Sequence, residues 1–200
     1  MTEHRTGATE SARHVHDEHT GHAHDETAAR LVGQTVPEVC LSSTAGGQLE
    51  LAAATERLTV VYVYPSTGVP GEPLPAGWNE IAGARGCTPQ SRAFRDHVLE
   101  LAAYGASVLG LSSQPADEQR EFAARERIPY PLLSDPLLQL ADALGLPTFH
   151  TDARRFYRRL TFVAHRRRIA KAFFPVRSPH HNPAEVLQWL AYDPPGRDVP

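Results

Sequence analysis

Apolar residues recur in regular blocks between residues 31 and 192, and beyond those limits the pattern fades. The run LTVVYVYP (58–65) is continuous, β-branched and aromatic, and it ends in Pro. That predicts a strand buried on both faces of a sheet. Residues 66–86 are dense in Gly and Pro and predict a loop. From Thr88 the spacing turns helical, with Phe94, Val98, Leu101 and Ala102 on one stripe and Pro89 suited to the first turn. ASVLGLSS (106–113) predicts the next strand, and PADEQREFAARER (115–127) a helix with Phe122 inward. YPLLSD (130–135) predicts a short strand or extended turn, and PLLQLADALGL (136–146) a helix burying Leu137, Leu140, Ala141 and Leu144. LTFVAH (160–165) and IAKAFFPV (169–176) predict a hairpin around a solvated Arg166–Arg168 turn. NPAEVLQWLA (182–191) predicts a closing helix, with Asn182 as N-cap and Pro183 at its first position.

A βαβα start followed by a helix, a hairpin and a helix predicts an α/β chain with a central mixed sheet flanked by helices on both faces. A thioredoxin-like fold fits this order. Residues 1–30 lack periodicity and predict a disordered, His-rich tail, and DPPGRDVP (193–200) predicts a flexible C-terminus.

The 200 residues are 41% hydrophobic, enough for a core, with a formal net charge of −3. That balance calls for neither nucleic acid nor a membrane surface. No run approaches the roughly 20 apolar residues of a span, and the polar N-terminus has no apolar signal region, so a cytoplasmic location is expected. The two cysteines are Cys40 and Cys87. In a reducing compartment they are not expected to form a structural disulfide, and no C-x-x-C is present.

Four strings resemble the peroxiredoxins, on the branch of the bacterioferritin comigratory protein (PrxQ). LVGQTVPEVCLSSTAGGQLEL is similar to the family's opening hairpin, and VVYVYP to the strand before its active loop. GCTPQSRAFRDH (86–97) resembles the active-site string G-C-T-x-E-x-C-x-F-R-D, and RRLTFVA (158–164) resembles R-x-T-F-x-I. The likeness spans about 31–192, with 66–86 as an inserted active-site loop. It places Cys87 on the peroxidatic cysteine and Arg159 on the arginine near that thiol. Arg92 stands where the family has its resolving cysteine, and Ala84 where it has the threonine that orients the peroxide. A second register, with Val69 for that threonine and Glu72 for the cysteine, loses the match to CT and FRD.

The resemblance implies a thiol-dependent peroxidase that reduces hydrogen peroxide or organic hydroperoxides through a sulfenic acid on Cys87. It would be of one-cysteine type, without a prosthetic group. The reductant would be an external thiol: thioredoxin, glutathione or another low-molecular-weight thiol. A homodimer is left open. The residues support the chemistry. A thiolate is the reacting species, and Cys87 stands at the start of a helix, whose N–H groups and dipole favour an anion. Arg85, Arg92 and Arg159 offer positive charge, and Thr88 and Arg85 flank the thiol. Cys40 is either a resolving cysteine or a bystander facing away from Val39 and Leu41. Trp78 is either a lid over Cys87 or a peg for its loop, and His97 is expected at the surface. His14, His16, His19, His22 and His24 could bind Zn²⁺, Ni²⁺ or Cu²⁺ weakly. The rival readings are a redox sensor or binding module on the same fold, and a metal-handling protein that uses the tail.

Overall fold

The structure is a computed structural model and describes residues 26–151, 154–193 and 195. Its centre is a seven-stranded sheet in the order β2-β1-β5-β4-β3-β8-β9. The strands are β1 (Cys40–Ser43), β2 (Gln48–Glu50), β3 (Thr59–Val63), β4 (Ser107–Ser112), β5 (Leu132–Ser134), β8 (Leu160–His165) and β9 (Arg168–Phe173). The β3, β4 and β5 strands run parallel, whereas β8 and β9 close one side and β1 and β2 the other in antiparallel register. This is the mixed sheet that the sequence predicts.

Period-two alternation sorts the core into two layers. Val61 and Val63 of β3, with Phe162 of β8, face a cluster holding Leu31, Leu51, Leu140 and Leu144. These come from α1 (26–31), α2 (Leu51–Ala54) and α6 (Gln139–Leu144). Val60, Tyr62 and Tyr64 face the opposite cluster, with Cys87, Phe94, Leu101, Phe122, Val186 and Leu190. Its helices are α3 (Cys87–Asp96), α4 (Val98–Ala103), α5 (Ala116–Glu126) and α7 (Asn182–Tyr192). Gly110 on β4 makes room for this layer: a β-carbon there would lie 2.7 Å from the Tyr62 hydroxyl and 2.5 Å from Leu132 Cδ2.

Several expectations are corrected. Residues 26–30 are not tail. They belong to α1, whose Leu31 is buried and whose Arg30 donates to the carbonyls of Leu144 and Gly145 at 2.9 and 2.7 Å. One buried leucine in the described part of that helix is too little for periodicity to register. The five tail histidines and their metal reading lie outside the described residues, as does most of the predicted flexible C-terminus. Among the described residues, no cluster of His, Cys, Asp and Glu could hold a metal ion.

The helix expected from Thr88 starts at Cys87 and breaks at His97, whose ring nitrogen meets the Ala93 carbonyl at 2.8 Å; Ala102 is exposed. The helix expected over 136–146 shrinks to α6. Asp135 accepts from the backbone of Gln139 and Leu140, both at 2.9 Å, and Leu138 takes a left-handed turn with φ 52°. That turn leaves Leu137 74% exposed. Asn182 is the first residue of α7 rather than its cap, which is His181. The sequence also concealed a second, two-stranded sheet, β6 (Thr148–Thr151) with β7 (Arg154–Tyr157). Its arginines masked the inward Phe149 and Phe156.

Candidate active site

The turn into α3 is built by Gly86, with φ 100°, a conformation that a side chain would strain. Gln90 N–H then closes the first helical turn on the Gly86 carbonyl at 3.0 Å. Cys87, Thr88 and Pro89 occupy the first three helical positions, where N–H groups have no acceptor within the helix, so the missing N–H of Pro89 costs nothing. Cys87 is 4% exposed, and its sulfur lies 3.6 Å from the Ala84 carbonyl.

Arg159 reaches this thiol from the sheet. Val63 of β3 lies opposite Leu160 of β8, so Arg159 falls just beyond the end of β3, on the same face as Thr161. Its Nη2 donates to Cys87 Sγ at 3.1 Å and to the carbonyls of Arg85 and Gly83 at 2.9 and 3.2 Å. Its Nη1 donates to the Gln90 side-chain oxygen. Its Nε–H is buried with no partner among the described residues. Gln90 in turn donates to Asn182 Oδ1 at 3.1 Å, and Thr161 donates to the same oxygen at 2.6 Å. Gln90, Asn182 and Thr161 are all fully buried. Helices α3 and α7 thus point their N-termini together beside Arg159.

Behind the thiol, Tyr62 stacks on Phe94 with ring centroids 4.6 Å apart and donates to Ser91 Oγ at 3.1 Å. Burial holds the phenols of Tyr62 and Tyr64 well above their ordinary value, so both stay protonated.

In front of the thiol is a cleft of about 290 Å³ lined by Ser66, Thr67, Gly68, Leu74, Trp78 and the 84–89 turn. Thr67 is buried there, its hydroxyl 2.9 Å from Gln114 Oε1. Trp78 pegs its loop down, its ring packing on Phe156 and Phe149 at 5.1 and 5.7 Å, and it also lines the cleft.

Of the residues singled out in the sequence, the structure brings together Cys87, Arg159, Thr88 and Arg85. Arg85 contributes its carbonyl, while its guanidinium turns to Asn79 at 2.6 Å. Arg92 is not brought to the thiol; it points to Glu126 at 2.6 Å. Cys40 is exposed on β1, three places from β3 in the sheet. Sequence reasoning missed Gln90, Thr67 and the buried role of Asn182. Gln90 had a signal, since it occupies the glutamate place of the GCT string.

Residues 80–172 match the AhpC/TSA family. Peroxiredoxin bcp1 of Schizosaccharomyces pombe is 31% identical over 115 residues, covering 57% of this chain and 51% of that protein. Chloroplastic peroxiredoxin Q of Arabidopsis thaliana is 30% identical over 115 residues, covering 58% and 46%. The alignments thus span about half the length of these relatives. Peroxidoxin BcpB of Mycobacterium tuberculosis superposes with a TM-score of 0.65 at 26% identity, over 80% of this chain and 96% of that one. Peroxiredoxin Q of Xanthomonas campestris, at 22% identity and TM-score 0.65, shares the fold. With its cysteine and arginine in these places, the chain is similar to the AhpC/TSA family over residues 80–172 and to peroxiredoxins of the bacterioferritin comigratory protein (PrxQ) type over about 115 residues.

Proposed function

We propose that the protein is a thiol peroxidase of one-cysteine type that reduces hydrogen peroxide or organic hydroperoxides. The observation that carries this reading is the 3.1 Å contact between Arg159 Nη2 and Cys87 Sγ at the N-terminus of α3, facing a cleft. The Cys87 thiolate attacks one peroxide oxygen; an S–O bond forms as the O–O bond breaks. The departing oxygen leaves as water or an alcohol, taking the peroxide proton, and the sulfur is left as a sulfenate. Arg159, whose Nη2 already reaches the sulfur, supports the charge that moves from sulfur to the departing oxygen. An external thiol then attacks the protonated sulfenic sulfur and releases water. A second thiol frees Cys87 from the mixed disulfide.

The test is peroxide consumption by the full chain with a small thiol, beside Cys87→Ser. The parent is expected to consume hydrogen peroxide or cumene hydroperoxide catalytically, and the variant to fold but not turn over. A Cys87 that reacts with both peroxides no faster than free cysteine discards the reading.

A further inference from the structure

The cleft in front of Cys87 is polar at the sulfur and apolar along its wall. At the sulfur, Arg159 Nη2 donates to Cys87 Sγ at 3.1 Å. Further out, polar side chains are spent within the fold. The Ser66 hydroxyl donates to the Thr67 carbonyl at 3.2 Å, and the Thr67 hydroxyl donates to Gln114 Oε1 at 2.9 Å. Apart from the thiol, Arg85 is the one ionisable side chain among the described residues that line the cleft, and it turns out to Asn79 at 2.6 Å. The apolar side chains of the wall are Leu74, Trp78, Ala84 and Pro89.

Leu74 is not committed to the core. It is 44% exposed and belongs to neither core layer nor to the Trp78 cluster. Its Cδ2 lies over Gly68, 3.9 Å from where a β-carbon there would stand. A single exposed leucine is ordinary, but this one lines a cleft that ends on the reactive sulfur. Leu74 and Trp78 both belong to the 66–86 loop, outside the strings that resemble the family. Size points the same way. Hydrogen peroxide fills no more than two water volumes, roughly 60 Å³, whereas the cleft holds about 290 Å³.

We propose that this cleft takes the organic group of a hydroperoxide and that Leu74 is the residue that selects it. Alkyl and aryl hydroperoxides are then reduced in preference to hydrogen peroxide. Such a molecule has the polarity of the cleft: its O–O head meets Cys87 and Arg159 while its apolar group leaves water against Leu74 and Trp78. Each methylene-sized group so buried is worth about fourfold in affinity. The inference names the substrate class of the proposed peroxidase site and rests on that reading.

The test measures Cys87 oxidation by stopped flow in a Cys40→Ser background, with cumene hydroperoxide and with hydrogen peroxide. The ratio of the two rate constants is divided by the same ratio for free cysteine. The parent is expected to favour cumene hydroperoxide about tenfold or more on this scale. Leu74→Asn, close in size but polar, is expected to lower the ratio about threefold or more, and Leu74→Met to keep it. A parent ratio near one, an Asn variant with the parent's ratio, or a Met variant that loses as much as Asn overturns the proposal. A second assay needs no peroxide. The alcohol left by cumene hydroperoxide, 2-phenyl-2-propanol, is expected to slow iodoacetamide alkylation of Cys87 more than methanol at equal concentration, and to do so less in Leu74→Asn. Equal protection by the two alcohols, or protection unchanged in the Asn variant, also overturns the proposal. A parent that neither peroxide oxidises faster than free cysteine would sink the enzymatic reading, and the alkylation assay would then decide by itself whether the cleft holds an apolar group.

Discussion

Pro179 stands against Gly86 so closely that a β-carbon at Gly86 would lie 2.7 Å from Pro179 Cγ. The segment before α7 therefore braces the turn that delivers Cys87. Gly86→Ala would meet this contact and the φ of 100° together. The left-handed conformation alone costs roughly 1–2 kcal/mol. The expected outcome is a melting midpoint lower by several degrees and an altered alkylation rate of Cys87. A variant that melts and reacts as the parent does would show that the turn can relax freely.

Removing the cation is expected to slow oxidation without unfolding the sheet. A hydrogen bond to a charged group is worth about 1.5–3 kcal/mol, so Arg159→Ala should oxidise roughly tenfold more slowly or worse. Stopped-flow tryptophan fluorescence reads this directly, since Trp78 lines the cleft. An unchanged rate in a folded variant would remove Arg159 from the mechanism.

Oxidised Cys87 is expected to persist as a sulfenic acid that a small thiol can trap, rather than to pair with Cys40. Three strand spacings of about 4.8 Å separate β1 from β3, beneath the cluster that contains Cys87. A disulfide needs Cα atoms within about 7 Å. Intact mass after one equivalent of peroxide, without reductant, should show one added oxygen. A loss of two hydrogens, or a dimer that a reductant splits, would assign Cys40 the resolving role.

Acid should loosen the outer side of α3. Arg92 donates to Glu126, holding its carboxyl below the ordinary value of 4.5. A carboxyl that binds its proton less readily folded than unfolded adds stability above the ordinary range. That contribution is lost as pH falls through the folded value. Glu126→Gln should therefore be less stable than the parent at neutral pH, with the difference shrinking as pH falls below about 4.5. Urea midpoints at several pH values check this, and a constant gap would refute it.

The central strands were legible because a buried β3 admits only apolar, β-branched or aromatic residues, and the loop over 66–86 because it is dense in Gly and Pro. Cys87 and Arg159 were legible through local strings. What stayed hidden was set by distant partners. Phe149 and Phe156 read as isolated aromatics until Trp78 gives them a purpose. Asn182 reads as a helix cap, since nothing local tells that Gln90 and Thr161 compete for its oxygen. The α6 boundary moved because Asp135 captures two backbone donors.

The aromatic seat of Trp78 separates two traits that a smaller peroxidase site would tie together. One wall of the cleft is anchored not to α3 but to the β6–β7 hairpin, and Thr151 adds a hydrogen bond to the Ala76 carbonyl at 2.7 Å. Substitutions at Phe149 or Phe156 can thus widen or narrow the doorway while the sulfur, its arginine and the braced turn stay as they are. On the proposed peroxidase reading, selection for bulkier or slimmer peroxides would have a handle about sixty residues from the thiol in sequence, one that leaves the bond-breaking step untouched.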